Sequence, residues 1–252
     1  MFSYQDYKNI IDLIKESKRQ ATHTEALKRD EFVVMRHDVE FSVKRAYDLA
    51  KFEKEMDFTS NYFFQWTNNS YNLLSKESLD MIHEMHNDGH KIGLHFALNG
   101  LTDMKEVRRR LKLEIAALSS LLEFDIDTFS IHRPSKDVLR ENIKMPNIVN
   151  AYQDELFTFK EEITEGMSTE VKYISDANHK WNYGLPNAET ILGNKKVQIL
   201  VHPYTWTKTG WDNENNFRTL VLEKNMELID TMDGDCKHFH AVRDYVIEQT
   251  VK

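Results

Sequence analysis

The sequence predicts an α/β protein built on a parallel β-sheet that is closed into a barrel or left open. Short apolar or aromatic runs alternate with amphipathic segments of helical period along most of the chain, and this alternation is typical of βαβ units. A chain of 252 residues is long enough for one such fold with a substantial core. With only 8 Gly and 4 Pro, long flexible linkers are absent, so we expect a single domain over residues 1–252.

An extra helix is predicted before the first strand, because apolar residues recur at helical spacing over residues 3–16. Apolar, β-branched or aromatic runs predict strands at 31–36, 59–66, 91–95, 127–132, 147–152, 171–175 and 197–202. Amphipathic periodicity predicts further helices at 41–56, 75–87, 102–124 and 216–229.

Five polar clusters follow predicted strands at the point where each strand ends. They are at residues 37–38, 95, 132–134, 175–176 and 202–203. In parallel α/β folds the carboxyl ends of the strands share one edge of the sheet, and sites are built there. One such cluster by itself is explained as a helix cap, but five on one edge indicate a functional site.

Composition and charge exclude several classes of function. The net charge of −8 is spread along the chain, which argues against binding to a nucleic-acid backbone. No apolar run approaches the roughly 20 residues of a membrane span, and the N-terminus lacks the pattern of a secretory signal. The single cysteine, Cys236, can form neither an internal disulfide nor a cysteine-rich zinc site. We therefore expect a cytoplasmic protein.

The ordered clusters resemble the five motifs of the polysaccharide deacetylase superfamily, also called the NodB homology domain or carbohydrate esterase family 4. The motifs in this chain are Arg-His-Asp-Val-Glu at 36–40, Gly-His-Lys-Ile-Gly-Leu-His at 89–95, His-Arg-Pro at 132–134, Ser-Asp at 175–176 and Leu-Val-His-Pro at 200–203. They are most similar to a divergent, WbmS-like branch found among surface-polysaccharide biosynthesis proteins. The resemblance implies an irregular (β/α) barrel with an extra N-terminal helix.

The resemblance also implies roles for individual residues. It implies a divalent metal held by Asp38 and His95, an arginine, Arg133, that orients the base, and a general acid, His202. Asp176, with Trp181 nearby, stands at the fourth motif.

Two positions depart from the family pattern. His37 occupies the place of the usual base aspartate, and histidine can act as a base near neutral pH. Asn99 occupies the place of the usual second metal-binding histidine. Because imidazole suits zinc better than an amide does, we predict that the third ligand is His132 or His37, with zinc as the expected ion.

Such a site would hydrolyse an amide. The metal lowers the pKa of its water to about 7 and polarises the carbonyl, His37 or Asp176 takes the proton, and His202 protonates the leaving nitrogen. Arg133 would hold a carboxylate or the developing oxyanion. Aromatic side chains predicted to form an apolar floor for a sugar ring are Trp66, Trp181, Tyr204 and Trp206; packing in the core is the alternative for each.

The lead hypothesis is a metal-dependent N-deacylase that removes an acetyl or formyl group from an amino sugar, free or linked to a nucleotide or lipid. A second is hydrolysis of a different carbon–nitrogen bond, as in metal-free relatives of the fold. A third, from another class, is a non-catalytic carbohydrate-binding or scaffold protein with a degraded site, which the departures at His37 and Asn99 favour. Retention of so many polar groups at the centre favours catalysis.

Overall fold

A seven-stranded, fully parallel sheet forms the centre of the protein. The computed structural model describes residues 1–158 and 171–250. The strand order is β5-β4-β3-β2-β1-β7-β6, and every pairing is parallel. The strands are β1 (Phe32–Val39), β2 (Asn61–Phe64), β3 (Lys91–Ala97), β4 (Thr128–His132), β5 (Val149–Asn150), β6 (Lys172–Ser175) and β7 (Lys196–Val201).

Helices precede the first strand, lie between most consecutive strands and follow the last strand. They are α1 (Tyr4–Ser17), α2 (His23–Ala26), α3 (Val43–Glu55), α4 (Lys76–Asn87), α5 (Met104–Leu122), α6 (Lys136–Arg140), α7 (Ala188–Gly193), α8 (Asn213–Asp235), α9 (Lys237–His240) and α10 (Arg243–Thr250). A short 3-10 helix, Pro203–Thr205, follows β7. Among the described helices, none is both long and apolar enough to cross a lipid bilayer.

The predicted N-terminal helix packs on the outer face of the sheet. A capping box between Ser3 and Asp6 starts α1, and Lys18 ends it in a left-handed conformation. The buried residues of α1, which share one apolar cluster with alternate residues of β1 and β7, are Tyr7, Ile10, Ile11 and Ile14. Each fully buried aliphatic side chain contributes roughly 1.5–3 kcal/mol, so this packing holds α1 in place.

The sheet is curved, as in an incomplete barrel, and encloses its inner face. Phe32 and Val34 of β1 pack in one buried cluster with Val149 of β5, although three strands separate β1 from β5 in the sheet. A flat sheet would hold these strands about 19 Å apart, at roughly 4.8 Å per strand. The inner face is therefore enclosed, and the predicted irregular barrel is confirmed as an open one.

Most predicted strands and helices are present, with different limits at their ends. A strand was expected at 147–152, but the observed strand is only Val149–Asn150. A helix was expected at 216–229, and the observed helix is longer, Asn213–Asp235. The short helices α2, α6 and α7 have too few turns to show helical periodicity, and α9 and α10 lack a strong apolar stripe. These differences leave the carboxyl ends of the strands, where the polar clusters lie, unchanged.

Candidate active site

Alternation along β1 decides which residues of the first motif reach the inner face. Successive side chains of a strand point to opposite faces. Arg36 and Asp38 face inward with Phe32, and Glu40, just past the strand end, lines the same side. His37 faces outward, where its Nε2 lies 2.6 Å from the hydroxyl of Tyr7.

A chain of hydrogen bonds prepares His95 as a neutral ligand. Arg36 donates to both oxygens of Asp38, at 2.9 and 2.7 Å. Ser130 donates its hydroxyl hydrogen to Oδ1 of Asp38 (3.1 Å), so its oxygen accepts from Nδ1 of His95 (2.7 Å). Burial lowers the pKa of His95 to about 3. The Nε2 atom of His95 therefore keeps a lone pair, and it is buried without a hydrogen-bond partner among the described residues.

His132 is held by an amide rather than by a hydroxyl. Nδ2 of Asn68 donates to Oε1 of Gln65, and Nε2 of Gln65 lies 2.6 Å from Nδ1 of His132. This orientation places the hydrogen of His132 on Nε2. A ligand role for His132 through Nε2 therefore requires the Gln65 amide to turn, so that its oxygen accepts from Nδ1.

Three imidazoles converge on one carboxylate oxygen. Oε1 of Glu40 lies 3.4 Å from Nε2 of His132, 3.8 Å from Nε2 of His202 and 4.0 Å from Nε2 of His95. Ligand atoms of Glu40, His95 and His132 all lie within 4.8 Å of one another. Metal–ligand bonds of about 2 Å place neighbouring ligand atoms at such separations. The unpartnered Nε2 atom of His95 fits a divalent metal directly, and that of His132 fits one once the Gln65 amide has turned.

Asp38 lies beside this set rather than in it. Its Oδ2 atom is 3.6 Å from Nδ1 of His95, so the two residues predicted to hold the metal lie close together. The nitrogen concerned is the one that Ser130 occupies, and both carboxylate oxygens bond to Arg36. Burial by itself would raise the pKa of Asp38, but Arg36 holds it well below its ordinary value. Among the acidic residues, Glu40 is better placed than Asp38 as a ligand.

His202 is paired with Asp176 at the end of β7. Nδ1 of His202 lies 2.6 Å from Oδ1 of Asp176, which also accepts from the backbone N–H of His202. Nε1 of Trp206 donates to the other oxygen at 2.8 Å. Burial alone would lower the pKa of His202, but Asp176 raises it to about 9. His202 is therefore an imidazolium at neutral pH, with Nε2–H toward Glu40.

A cavity of about 470 Å³ opens above these groups. Asp38, Glu40, His95 and His202 line its polar side. The aromatic side chains that line it are Phe41, Tyr152, Phe157, Tyr173, Tyr183, Tyr204 and Phe217. A second cavity of about 450 Å³ shares Glu40 and Arg133 with it and adds His132 and Gln65.

The predicted residues divide into those that the fold brings together and those that it separates. Asp38, His95, His132 and His202 meet at the cavity. His37 is fully buried on the outer face, where it stacks on Tyr62 at 4.1 Å between ring centroids. Its side chain does not line the cavity, so its role as a base stays a prediction.

The predicted aromatic floor is placed mostly elsewhere. Tyr204 lines the main cavity, and Trp66 lines an adjoining groove. Trp181 and Trp206 pack instead with Phe2 in the outer apolar cluster. Trp206 contributes through its bond to Asp176 rather than as a floor, because its side chain is buried on the other face of the sheet.

Arg133 and Asn99 are found at the rim. Arg133 lines both cavities with an exposed side chain, away from the bidentate contact with Asp38, which Arg36 makes. Asn99 lines the second cavity, and its amide nitrogen donates to Thr67 at 3.1 Å. His132, one of the two predicted candidates for the third ligand, belongs to the metal-compatible group, whereas the amide of Asn99 is bonded to Thr67.

Sequence reasoning missed Glu40 and Arg36. Their signal was the period of two in residues 36–40, which places positions 36, 38 and 40 on one face and 37 on the other. Most of the cavity's aromatic residues were also missed, because they come from segments distant in sequence and carry no motif.

Solved structures that resemble this chain belong to the family that the five motifs resemble. The catalytic domain of a peptidoglycan N-acetylglucosamine deacetylase from Eubacterium rectale is 12% identical, with a TM-score of 0.46 over 77% of this chain and 84% of that chain. A CE4 family pseudoenzyme from Bacillus anthracis is 11% identical, with a TM-score of 0.43 over 78% of this chain. The match spans 61% of that pseudoenzyme, less than two thirds of its length. No protein-family model and no curated protein matches the sequence.

Proposed function

We propose that the protein is a metal-dependent hydrolase that removes an acyl group from the nitrogen of an amino sugar. The observation that carries this proposal is the convergence of three imidazole Nε2 atoms on Oε1 of Glu40, at 3.4–4.0 Å, at the edge of a cavity. Amide hydrolysis needs an activated water and an acid for the leaving nitrogen. A set of metal ligands would supply the first, and the protonated His202 would supply the second.

Glu40, His95 and His132 would hold the metal. When bound there, a divalent ion such as zinc lowers the pKa of water to about 7 and polarises a carbonyl. His95 enters this set as a neutral ligand because Ser130 takes its Nδ1 hydrogen. The second ring nitrogen of a metal-binding histidine usually donates to such a partner, and the partner fixes the orientation of the ring.

Asp38 is the proposed acceptor for the proton of the attacking water. It is ionised across the physiological range because Arg36 lowers its pKa, and it lines the cavity. This assignment replaces His37, which faces the other side of the sheet.

His202 is the proposed general acid. An amide nitrogen leaves readily only when it is protonated, and a positioned acid contributes about 10² to 10⁴ in rate. Asp176 keeps His202 protonated and leaves Nε2–H free to face the cavity. Asp176 is not among the residues that line the cavity, and it bonds to His202 and Trp206, so it is a positioning residue and not a second base.

The proposed substrate is an N-acetyl or N-formyl amino sugar, free or linked to a nucleotide or lipid. A cavity of about 470 Å³ lies at the lower end of the range for small-molecule sites. Tyr152, Tyr173 and Tyr204 line this cavity, and a tyrosine can contact a sugar through its apolar ring and through its hydroxyl group.

The test measures zinc binding and deacylation of a panel of N-acyl amino sugars. We expect wild type to bind one divalent ion, Glu40→Ala and His95→Ala to lose it, and His202→Gln to keep it while turnover falls by about 10² to 10⁴. His238→Gln, an exposed histidine near the C-terminus, is the matched control. Full turnover by a folded, metal-bound His202→Gln would remove His202 as the acid. A metal-bound wild type that cleaves none of the panel would favour a carbohydrate-binding protein.

A further inference from the structure

Two bulky residues at the rim of the cavity have backbone conformations that normally favour glycine. Arg133 has φ +47° and Tyr183 has φ +66°. A left-handed conformation costs a residue with a Cβ roughly 1–2 kcal/mol, whereas glycine adopts it freely. Elsewhere, Lys18 and Glu123 adopt it for a local reason, because each ends a helix as its C-cap.

Packing of the side chain does not explain why either residue adopts the left-handed conformation. Tyr183 is 61% exposed, and its only ring contact among the described residues is a tilted one to Tyr173, at 5.6 Å between centroids. Arg133 is exposed, and within residues 1–158 and 171–250 it has no ion-pair partner. Backbone strain that packing does not require concentrates at functional sites.

Arg133 also differs from the other cations at the site. Arg36 is paired with Asp38, and His202 is paired with Asp176. Among the described residues no carboxylate pairs with the guanidinium of Arg133, so this group is available to a substrate. Its planar fork matches a carboxylate or a phosphate with two parallel hydrogen bonds.

We propose that Arg133 and Tyr183 recognise a sugar that carries an anionic group, with the ring against Tyr183 and the carboxylate or phosphate on Arg133. Both residues line the cavity of the candidate active site. The proposal rests on the proposed function only for the location of the substrate. It assigns the pair to specificity rather than to hydrolysis.

The experiment compares binding of glucose, glucuronic acid and glucose 1-phosphate by calorimetry, without turnover. We expect wild type to bind one or both anionic sugars at least about 10-fold more tightly than glucose. Arg133→Gly should abolish this preference, and Arg133→Lys should keep part of it. Tyr183→Gly should weaken binding of all three sugars by about 10-fold, and Tyr183→Phe should preserve it. The stronger of the two anionic ligands identifies whether the group is a carboxylate or a phosphate.

Thermal unfolding separates this role from a structural one. Arg133→Gly and Tyr183→Gly relieve strain, so each should raise Tm by about 1–3 °C. Lys18→Gly, which relieves strain away from the cavity, should raise Tm likewise and leave sugar binding unchanged. An unchanged anionic preference in Arg133→Gly, or a fall in Tm for both rim variants, would overturn the proposal. Because turnover is not measured, loss of the deacylase function would leave these results intact.

Discussion

The hydrogen on each imidazole at the site is placed by a neighbouring side chain. Ser130 accepts from Nδ1 of His95 because its own hydrogen goes to Asp38. Asp176 occupies Nδ1 of His202. Gln65 presents an amide nitrogen to Nδ1 of His132, so the hydrogen of His132 is on Nε2. In His95 the hydrogen is on Nδ1 and Nε2 is free. Single polar neighbours therefore decide which histidine is ready to bind metal.

Gln65→Glu is expected to tighten zinc binding by about 10-fold. The carboxylate would accept from Nδ1–H of His132 with one oxygen and from Nδ2 of Asn68 with the other, which frees Nε2 for the metal. Changes in such partners typically alter metal affinity 10- to 100-fold. Competition with a chelator of known affinity measures the effect.

Asn69→Asp is the control for charge, because the residue lies in the same loop and is exposed. Equal tightening in both variants would show that added negative charge, and not the hydrogen on His132, is responsible.

At the scale of elements, a buried polar network joins α1, α3 and the outer face of the sheet. Glu53 of α3 accepts from the hydroxyls of Ser60 (2.6 Å) and Tyr62 (2.9 Å), and its Oε1 atom lies 2.5 Å from the hydroxyl of Tyr7. Nε2 of His37 lies 2.6 Å from the hydroxyl of Tyr7. Nδ1 of His37 faces the carbonyl oxygen of Asn61 at 3.4 Å and carries the ring hydrogen, so Nε2 is an acceptor. Tyr7 then has one hydroxyl hydrogen for two acceptors, and both contacts are hydrogen bonds only if the network holds one more proton.

The pKa values place that proton on Glu53. Burial lowers the pKa of His37 to about 3 and raises the pKa of Glu53 to about 7, against the lowering effect of the three hydroxyl groups around Glu53. Protonated Glu53 donates to Tyr7, which then donates to His37. The network therefore links three elements through a neutral carboxylic acid.

The contribution of Glu53 to the stability of the protein is expected to fall as pH rises from about 4.5 to about 7. A folded-state pKa above the ordinary 4.5 means that the native state binds the proton more tightly than the unfolded chain. Its stabilisation is complete below the unfolded pKa and is lost as pH rises through the folded pKa. At about 1.4 kcal/mol per unit, the change is on the order of 3 kcal/mol.

Glu53→Gln should remove this dependence, because the amide donates to Tyr7 and accepts from Ser60 and Tyr62 at every pH. Urea unfolding at several pH values between 4.5 and 8 measures the slope for wild type and variant. Glu55→Gln, an exposed residue of the same helix, should keep the wild-type slope. An identical slope in Glu53→Gln would locate the extra proton elsewhere.

Close packing around Gly93 of β3 predicts that a larger residue there will destabilise the protein. A Cβ there would lie 2.6 Å from the ring of Phe63 and 2.8 Å from Oγ1 of Thr128. Gly93→Ala should therefore lower the free energy of unfolding by about 1–3 kcal/mol. Gly234→Ala, where a Cβ meets nothing, is the control in the same denaturation experiment. Unchanged stability in Gly93→Ala would mean that the strands can separate without cost.

At the scale of the whole molecule, Arg36 connects the middle of the sheet to its curled end. It bonds to Asp38 on its own strand, and its guanidinium lies 4.2 Å from the ring centroid of Tyr152, just after β5. Both charged side chains are almost fully buried. The pair therefore supports the enclosed inner face from which the site is built.

Arg36→Met should lower the free energy of unfolding by about 3–5 kcal/mol, because it leaves the charge of Asp38 buried without a partner. The double variant Arg36→Met/Asp38→Asn should recover part of this loss, since the buried charge is then gone. Chemical denaturation of both proteins measures the difference. Equal stability of the single and double variants would mean that Arg36 acts through packing on Tyr152 alone.

Periodicity and strand-end position are local properties of the chain, so they were enough to predict the α/β class, the N-terminal helix and the order of the polar clusters. Which of those residues meet depends on how the chain packs. Curling of the sheet brings Glu40 to His95, His132 and His202, and strand alternation turns His37 toward Tyr7. Ligand sets depend on distances of a few ångströms between residues far apart in sequence, and only the packed fold sets those distances.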